Sequence, residues 1–178
     1  MRSSSLVIGA LSTALLGAGG CTTAPYDTAP DVPTNLRPPS GQVLSVVAFA
    51  TGFQIYECTP KAGQPSSYEW TFRAPEAVLA DRSGRPIGKH YAGPTWESSD
   101  GSSVKGDVKE RAPGPTPSAI SWLLLDARAN SGTGAFRATK SVQRLQTVGG
   151  VAPATACGAG NVRQVTKVPY TATYYFYG

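Results

Sequence analysis

The side chains able to do chemistry gather in one stretch. Between positions 90 and 105 stand His90, Tyr91, Trp96, Glu97, Asp100 and Lys105, spaced by Gly93-Pro94 and Gly101, where the backbone turns. In a cleft, an indole is a stacking platform for the apolar face of a sugar ring. Glu97 and Asp100 would accept hydrogen bonds from its hydroxyls, and His90 would donate one or act as an acid. The same residues also suit an ordinary hairpin. There Trp96 fills the core, Asp100 shapes the turn and His90 satisfies a backbone carbonyl. Residue types alone leave both readings open, with a small molecule or a glycan as the ligand of the first.

A complete catalytic set does not assemble. His90 is the only histidine, so a Ser-His-Asp arrangement must use it, and no G-x-S-x-G elbow accompanies it. Glu97 and Asp100 could form a glycosidase acid pair across their turn, as nearly any acidic hairpin could. One histidine and two unlipidated cysteines make a poor metal set, so neither metal nor cofactor is expected. The nearest approach to a nucleotide loop is Gly132-Thr133-Gly134. Arg137 follows where a third small residue belongs, and no βαβ unit surrounds it. The leading expectation is a non-enzymatic protein that binds a ligand or envelope partner near the His90–Asp100 hairpin. The alternatives are a carbohydrate-active hydrolase using Glu97 and Asp100, and a structural envelope protein, whose tyrosine-rich end (Tyr170, Tyr174, Tyr175, Tyr177) would form an adhesive face.

The chain that must position these residues has 178 of them, enough for one domain and a leader. Residues 1–20 read as a signal peptide: Arg2 and three serines, then an apolar run from Leu6 to Leu16 too short to span a bilayer. Gly17-Ala18-Gly19-Gly20-Cys21 resembles a bacterial lipobox, although Ala18 stands where leucine is usual. Cys21 is therefore expected to carry a lipid that anchors the protein in the cell envelope, plain secretion being the alternative. Residues 21–39 hold five prolines among Thr, Ala and Asp and are expected to form a loose tether, with the β domain occupying 40–178.

Two thiols remain, Cys58 and Cys157, and an even pair in an oxidising compartment is expected to bond. Between them the pattern is one of short strands and turns. Gln42–Ala50 and Phe53–Cys58 read as a hairpin about Thr51-Gly52. Tyr68–Ala74 alternates aromatic and polar residues, and Ser103–Arg111 reads as a polar edge strand. Ile120–Leu125 is an apolar run of undecided type. Tyr170–Tyr177 reads as a half-buried strand that closes the domain. With 20 Gly and 15 Pro, the spacing predicts a mostly β single domain, an antiparallel β-sandwich or barrel. The net charge of +5 is scattered rather than striped, so no nucleic acid partner is expected.

Several stretches carry a resemblance. They are Gly52-Phe53-Gln54-Ile55-Tyr56-Glu57-Cys58, Trp70 through Ala77, His90 through Glu97 with Asp100-Gly101-Ser102, Arg144-Leu145 with Thr147-Val148-Gly149-Gly150, and the tyrosine-rich end. Together they resemble a family of secreted bacterial and fungal domains of unknown function, number 3455 in its series, over roughly Pro33 to Tyr177. The resemblance implies membership and no particular chemistry.

Overall fold

Thr51-Gly52 does not turn the chain. In a computed structural model, which describes residues 29–178, strand β1 runs unbroken through it from Leu44 to Lys61. Gly52 is there for close approach: a Cβ at that position would collide with the backbone of Glu76 and Ala77 on β2 (Gln64–Ala80). β3 (Pro86–Tyr91), β4 (Thr95–Ser98), β5 (Ser103–Ala112), β6 (Trp122–Ser131), β7 (Ser141–Gly149) and β8 (Val165–Tyr177) follow. Each strand pairs antiparallel with its neighbour in sequence, and β8 returns to pair with β1 from Leu44↔Tyr177 to Glu57↔Val165. Of the two expected architectures the chain adopts the barrel, which leaves no free edge in its wall. Ile120–Leu125 resolves into the entry of β6, and Ser103–Arg111 is an interior member of the wall.

Eight strands enclose a space that side chains can fill or that one small ligand can occupy. Here the two halves of the barrel differ. At the end formed by the β2–β3, β4–β5 and β6–β7 connections, Phe136 plugs the interior and packs on Phe176 with ring centroids 4.4 Å apart. Ala48, Leu79, Val104 and Val142 complete that core. The opposite end, formed by the β1–β2, β3–β4, β5–β6 and β7–β8 connections, stays open.

The outer wall carries cross-strand ion pairs: Arg73–Glu57, Lys89–Glu97, Lys109–Asp126 and Lys167–Glu76. A charged exterior around an apolar interior is the reverse of a membrane-spanning barrel. Among the described residues, no helix is long and apolar enough to cross a membrane.

One patch of the exterior is apolar, and the chain covers it itself. Leu124, Leu145, Tyr175 and Tyr177 face outward and meet Leu36, which is fully buried in a short 3-10 helix, Thr34–Leu36. Gln143 Nε2 donates to the Leu36 carbonyl at 2.6 Å, and the Tyr177 hydroxyl donates to Gln143 Oε1 at 2.7 Å. The packed chain thus starts before the boundary at residue 40 that composition suggests, because one leucine among the prolines finds an apolar seat. The tyrosine-rich end is neither an exposed adhesive face nor half-buried: Tyr170 and Tyr174 point into the barrel, while Tyr175 and Tyr177 point under this strap. The leader, Cys21 and the first part of the tether lie outside the described residues. Leu36→Ala is expected to destabilise the fold by about 2–3 kcal/mol, the usual cost of emptying a buried leucine site. The urea midpoint reports it, and an unchanged midpoint would mean the strap contributes nothing.

Candidate functional site

The barrel wall sorts the sequence-predicted cluster onto two faces. Strands β3 and β4 pair His90 with Trp96 and Lys89 with Glu97, and alternation sends the first pair inward and the second outward. Inside, the His90 and Trp96 rings stack at 4.6 Å and 10°, and Tyr174 meets both edge-on at 5.0 and 5.3 Å. Outside, the Tyr91 hydroxyl donates to Glu97 Oε2 at 2.8 Å and Lys89 Nζ lies 3.0 Å from Oε1. Hydrogen bonds from Tyr91 and then Lys89 hold the Glu97 carboxyl below its ordinary range.

Asp100 is at the plugged end of the barrel. Its Oδ1 accepts from the Ser102 amide at 2.8 Å and the Ser102 hydroxyl at 2.6 Å, and its Oδ2 accepts from the Ala135 amide at 2.8 Å. These donors, the Ser102 hydroxyl foremost, push its carboxyl far below the carboxylate range. Asp100 ties the β4–β5 hairpin to the β6–β7 connection that carries Phe136. Lys105 lies on the outer face against the Gly93-Pro94 turn; a Cβ on Gly93 would stand 3.0 Å from its Cε. The six residues therefore share no single cleft. Only His90 and Trp96 reach the interior.

What they reach is a cavity of about 500 Å³ in the open half of the barrel, inside the range of small-ligand sites. His90, Trp96 and Tyr174 form its floor. Phe72, Val108, Ile120 and Leu123 supply apolar wall, and Gln54, Tyr56 and Arg144 supply polar wall. At the rim stand Arg73 and Arg111.

The mouth is shaped by two loops, 113–121 between β5 and β6 and 150–164 between β7 and β8. Gly150 holds them in register. Its φ of 85° is open to glycine, and a Cβ would come within 2.9–3.1 Å of Tyr170, Gln54 and Ile120. Its carbonyl accepts from the Tyr56 hydroxyl at 2.6 Å. The Ile120 amide donates to the Gly149 carbonyl at 2.9 Å, and Thr147 Oγ1 donates to the Ile120 carbonyl at 2.6 Å. Further out, the Cys58–Cys157 disulfide fastens the second loop to β1, and Trp70 Nε1 donates to the Thr155 carbonyl at 3.0 Å.

The site residues that sequence reasoning missed are Gln54, Tyr56, Arg144 and Tyr174. Burial pushes the Tyr56, Tyr170 and Tyr174 hydroxyls up, so all three stay protonated. Burial likewise drives His90 down to about 3, against the Thr95 carbonyl that its Nδ1 faces at 2.8 Å. The imidazole is neutral, and its Nδ1–H donates to that carbonyl. Among the described residues, no three of His, Cys, Asp and Glu come together as a metal site. The arrangement can hold a molecule, orient it on stacked rings and bond to it from several sides.

The sequence model of the family described as "protein of unknown function (DUF3455)" matches residues 39–178, the whole barrel without the Thr34–Leu36 strap. Neither the curated proteins nor the solved structures contain a match.

Proposed function

The chain belongs to the DUF3455 family of proteins of unknown function, a membership that supplies no activity to inherit, and we propose that its barrel is a vessel that binds one small, largely apolar molecule through the open end. The half-empty interior carries this reading. A barrel built only for structure packs side chains through to both ends, whereas this one spends Phe136 on one end and leaves about 500 Å³ behind the other. The expectation of a ligand at the His90–Asp100 hairpin moves inward with His90 and Trp96, whose rings would face the bound molecule from below. Tyr91, Glu97, Asp100 and Lys105 serve the wall and its turns.

We place this vessel in the cell envelope, tethered through a lipid on Cys21. The leader-like residues 1–20 and the small residues before Cys21 support that address. So does the Cys58–Cys157 bond, which an oxidising compartment would maintain. A binding protein held there would take up or present a molecule outside the cytoplasm.

The test uses N-phenyl-1-naphthylamine, an uncharged probe that fluoresces when it leaves water. It is expected to bind the protein at one site with micromolar affinity. Val151 lines the mouth and is partly buried against the core. Val151→Trp is expected to abolish most of the signal while the unfolding midpoint stays close to that of the parent. Probe binding unaffected by this substitution, or no binding to either protein, refutes the reading.

A further inference from the structure

The polar atoms left without partners around the cavity are all donors. Gln54 is 2% exposed, and its Nε2 completes no well-formed hydrogen bond although the side chain interacts with the Tyr170 hydroxyl; Trp96 is 1% exposed, and its Nε1 makes no hydrogen bond. Buried amide and indole N–H groups are rarely left unpaired without a reason. Arg144 lines the same cavity. Its Nε and Nη2 both donate to the Ser121 carbonyl, at 3.1 and 2.8 Å, which uses two of the five N–H groups of the guanidinium, and the guanidinium also reaches the Tyr174 hydroxyl. No carboxylate pairs with it among the described residues, in contrast to Arg73, Lys89, Lys109 and Lys167 on the outer wall. Among the described residues no Asp or Glu lines the cavity, while Arg111 stands at its rim beside Arg73, whose charge Glu57 balances. The Arg144 charge reaches Tyr56, His90, Tyr170 and Tyr174.

A half-buried cation without an anion loses part of its hydration and gains from a counter-charge placed beside it. Apart from Arg144, Gln54, Ser121 and the two rim arginines, the rest of the cavity is lined by apolar and aromatic side chains and glycine. We propose that the ligand is an amphipathic carboxylate: its head pairs with the Arg144 guanidinium and accepts from Gln54, and its apolar or aromatic body rests on the His90–Trp96–Tyr174 floor. The inference rests on the reading of the barrel as a binding vessel and adds the chemistry of the occupant. Arginine rather than lysine fits it, because the planar fork grips a planar carboxylate through two parallel bonds. His90 takes no part in the charge balance, being neutral, and the titrating group in the complex is the ligand's own acid.

The experiment displaces N-phenyl-1-naphthylamine with matched pairs that differ only in charge: 2-naphthoate against 2-naphthamide, and decanoate against decanamide, at pH 7.5. The acids are expected to compete about 10- to 100-fold better than their amides, the range for a hydrogen bond to a charged group. Arg144→Met should erase that preference while the amides compete as before, and Arg144→Lys should restore part of it. Equal competition by acid and amide in the parent protein overturns the carboxylate assignment and leaves the vessel standing. Failure of the neutral probe to bind overturns both. The acid-to-amide ratio in the parent needs no variant, so a misfolded Arg144 substitution leaves the test decisive.

Discussion

Reducing the Cys58–Cys157 bond is expected to lower stability by about 4–5 kcal/mol, the loop-closure contribution of a cross-link this long. The cysteines stand 99 residues apart in sequence, with their Cα atoms 5.8 Å apart. Strands β2 to β7 lie between them, so the bond shortens nearly the whole unfolded barrel into a loop. Such a contribution rivals the net stability of a small domain. The barrel itself does not depend on it for closure, because β1 and β8 are zipped along their length independently. Reduced protein should therefore keep its strand content while its guanidinium midpoint falls sharply. Local effects should concentrate in 150–164. That loop has few other fixings: on β1 the Cys58 amide to the Gln164 carbonyl and the Arg163 amide to the Cys58 carbonyl, both at 2.9 Å, and the Tyr56 hydroxyl to the Gly150 carbonyl, and on β2 Trp70 to Thr155. Limited proteolysis of the reduced protein should begin there. Equal midpoints for oxidised and reduced protein would show that the cross-link constrains nothing the fold does not already constrain. The same loop borders the cavity mouth, so probe binding measured on the reduced protein reports whether the clasp also sets access.

The parts of this fold that sequence reveals are those where local chemistry has one meaning. Ser98-Ser99-Asp100-Gly101 is a turn whether or not a barrel surrounds it, and two thiols left in an oxidising compartment have one obvious use. Ambiguity enters where a residue's role depends on a distant neighbour. Gly52 looks like a turn until Ala77 lies on top of it. Pro75 and Pro169 look like strand breaks. In the structure each pairs with β1 alone, beyond the reach of β3 and β7, so the missing N–H has no second strand to serve.

Arg144 was hidden by the same kind of non-local effect. Alternation in β7 should tell inside from outside, yet Val142 on the inner face and Leu145 on the outer are both fully buried. The reason is that Leu36 covers the outer wall there. With both faces apolar, parity gives no direction, and a lone arginine reads as one more scattered charge. His90 and Trp96 could be picked out by type and spacing. That Glu97 and Asp100 belong to other surfaces follows only from strand register, where a shift of one residue exchanges inside for outside.

Acid is expected to weaken this protein through His90 before the carboxylates respond. The ring is 3% exposed, stacked on Trp96, edge-on to Tyr174 and within the field of Arg144. Burial, its largest perturbation, disfavours the imidazolium, and the Arg144 charge adds to that, while the Thr95 carbonyl opposes them. The folded protein therefore accepts this proton only near about 3, while the unfolded chain accepts it near the ordinary value of about 6.5. Between those values the unfolded state holds one more proton than the folded state, so stability rises with pH and is lost on acidification. The loss amounts to about 3 kcal/mol by pH 4 and about 4 kcal/mol by pH 3.5. Glu97 and Asp100, whose folded values are depressed, act lower: their contribution is present above the ordinary carboxylate range and lost as pH falls through the folded values. His90→Phe separates the two. It keeps a ring on Trp96 and forfeits the bond to Thr95, at a cost of about 1 kcal/mol at pH 7. It is then expected to lose far less than the parent between pH 6.5 and 4, and the curves should approach or cross. Urea midpoints measured across that interval decide the matter. Parallel losses in the two proteins would mean that the ring is hydrated and charges in place, which would also remove it from the dry floor on which the carboxylate's apolar body is proposed to rest.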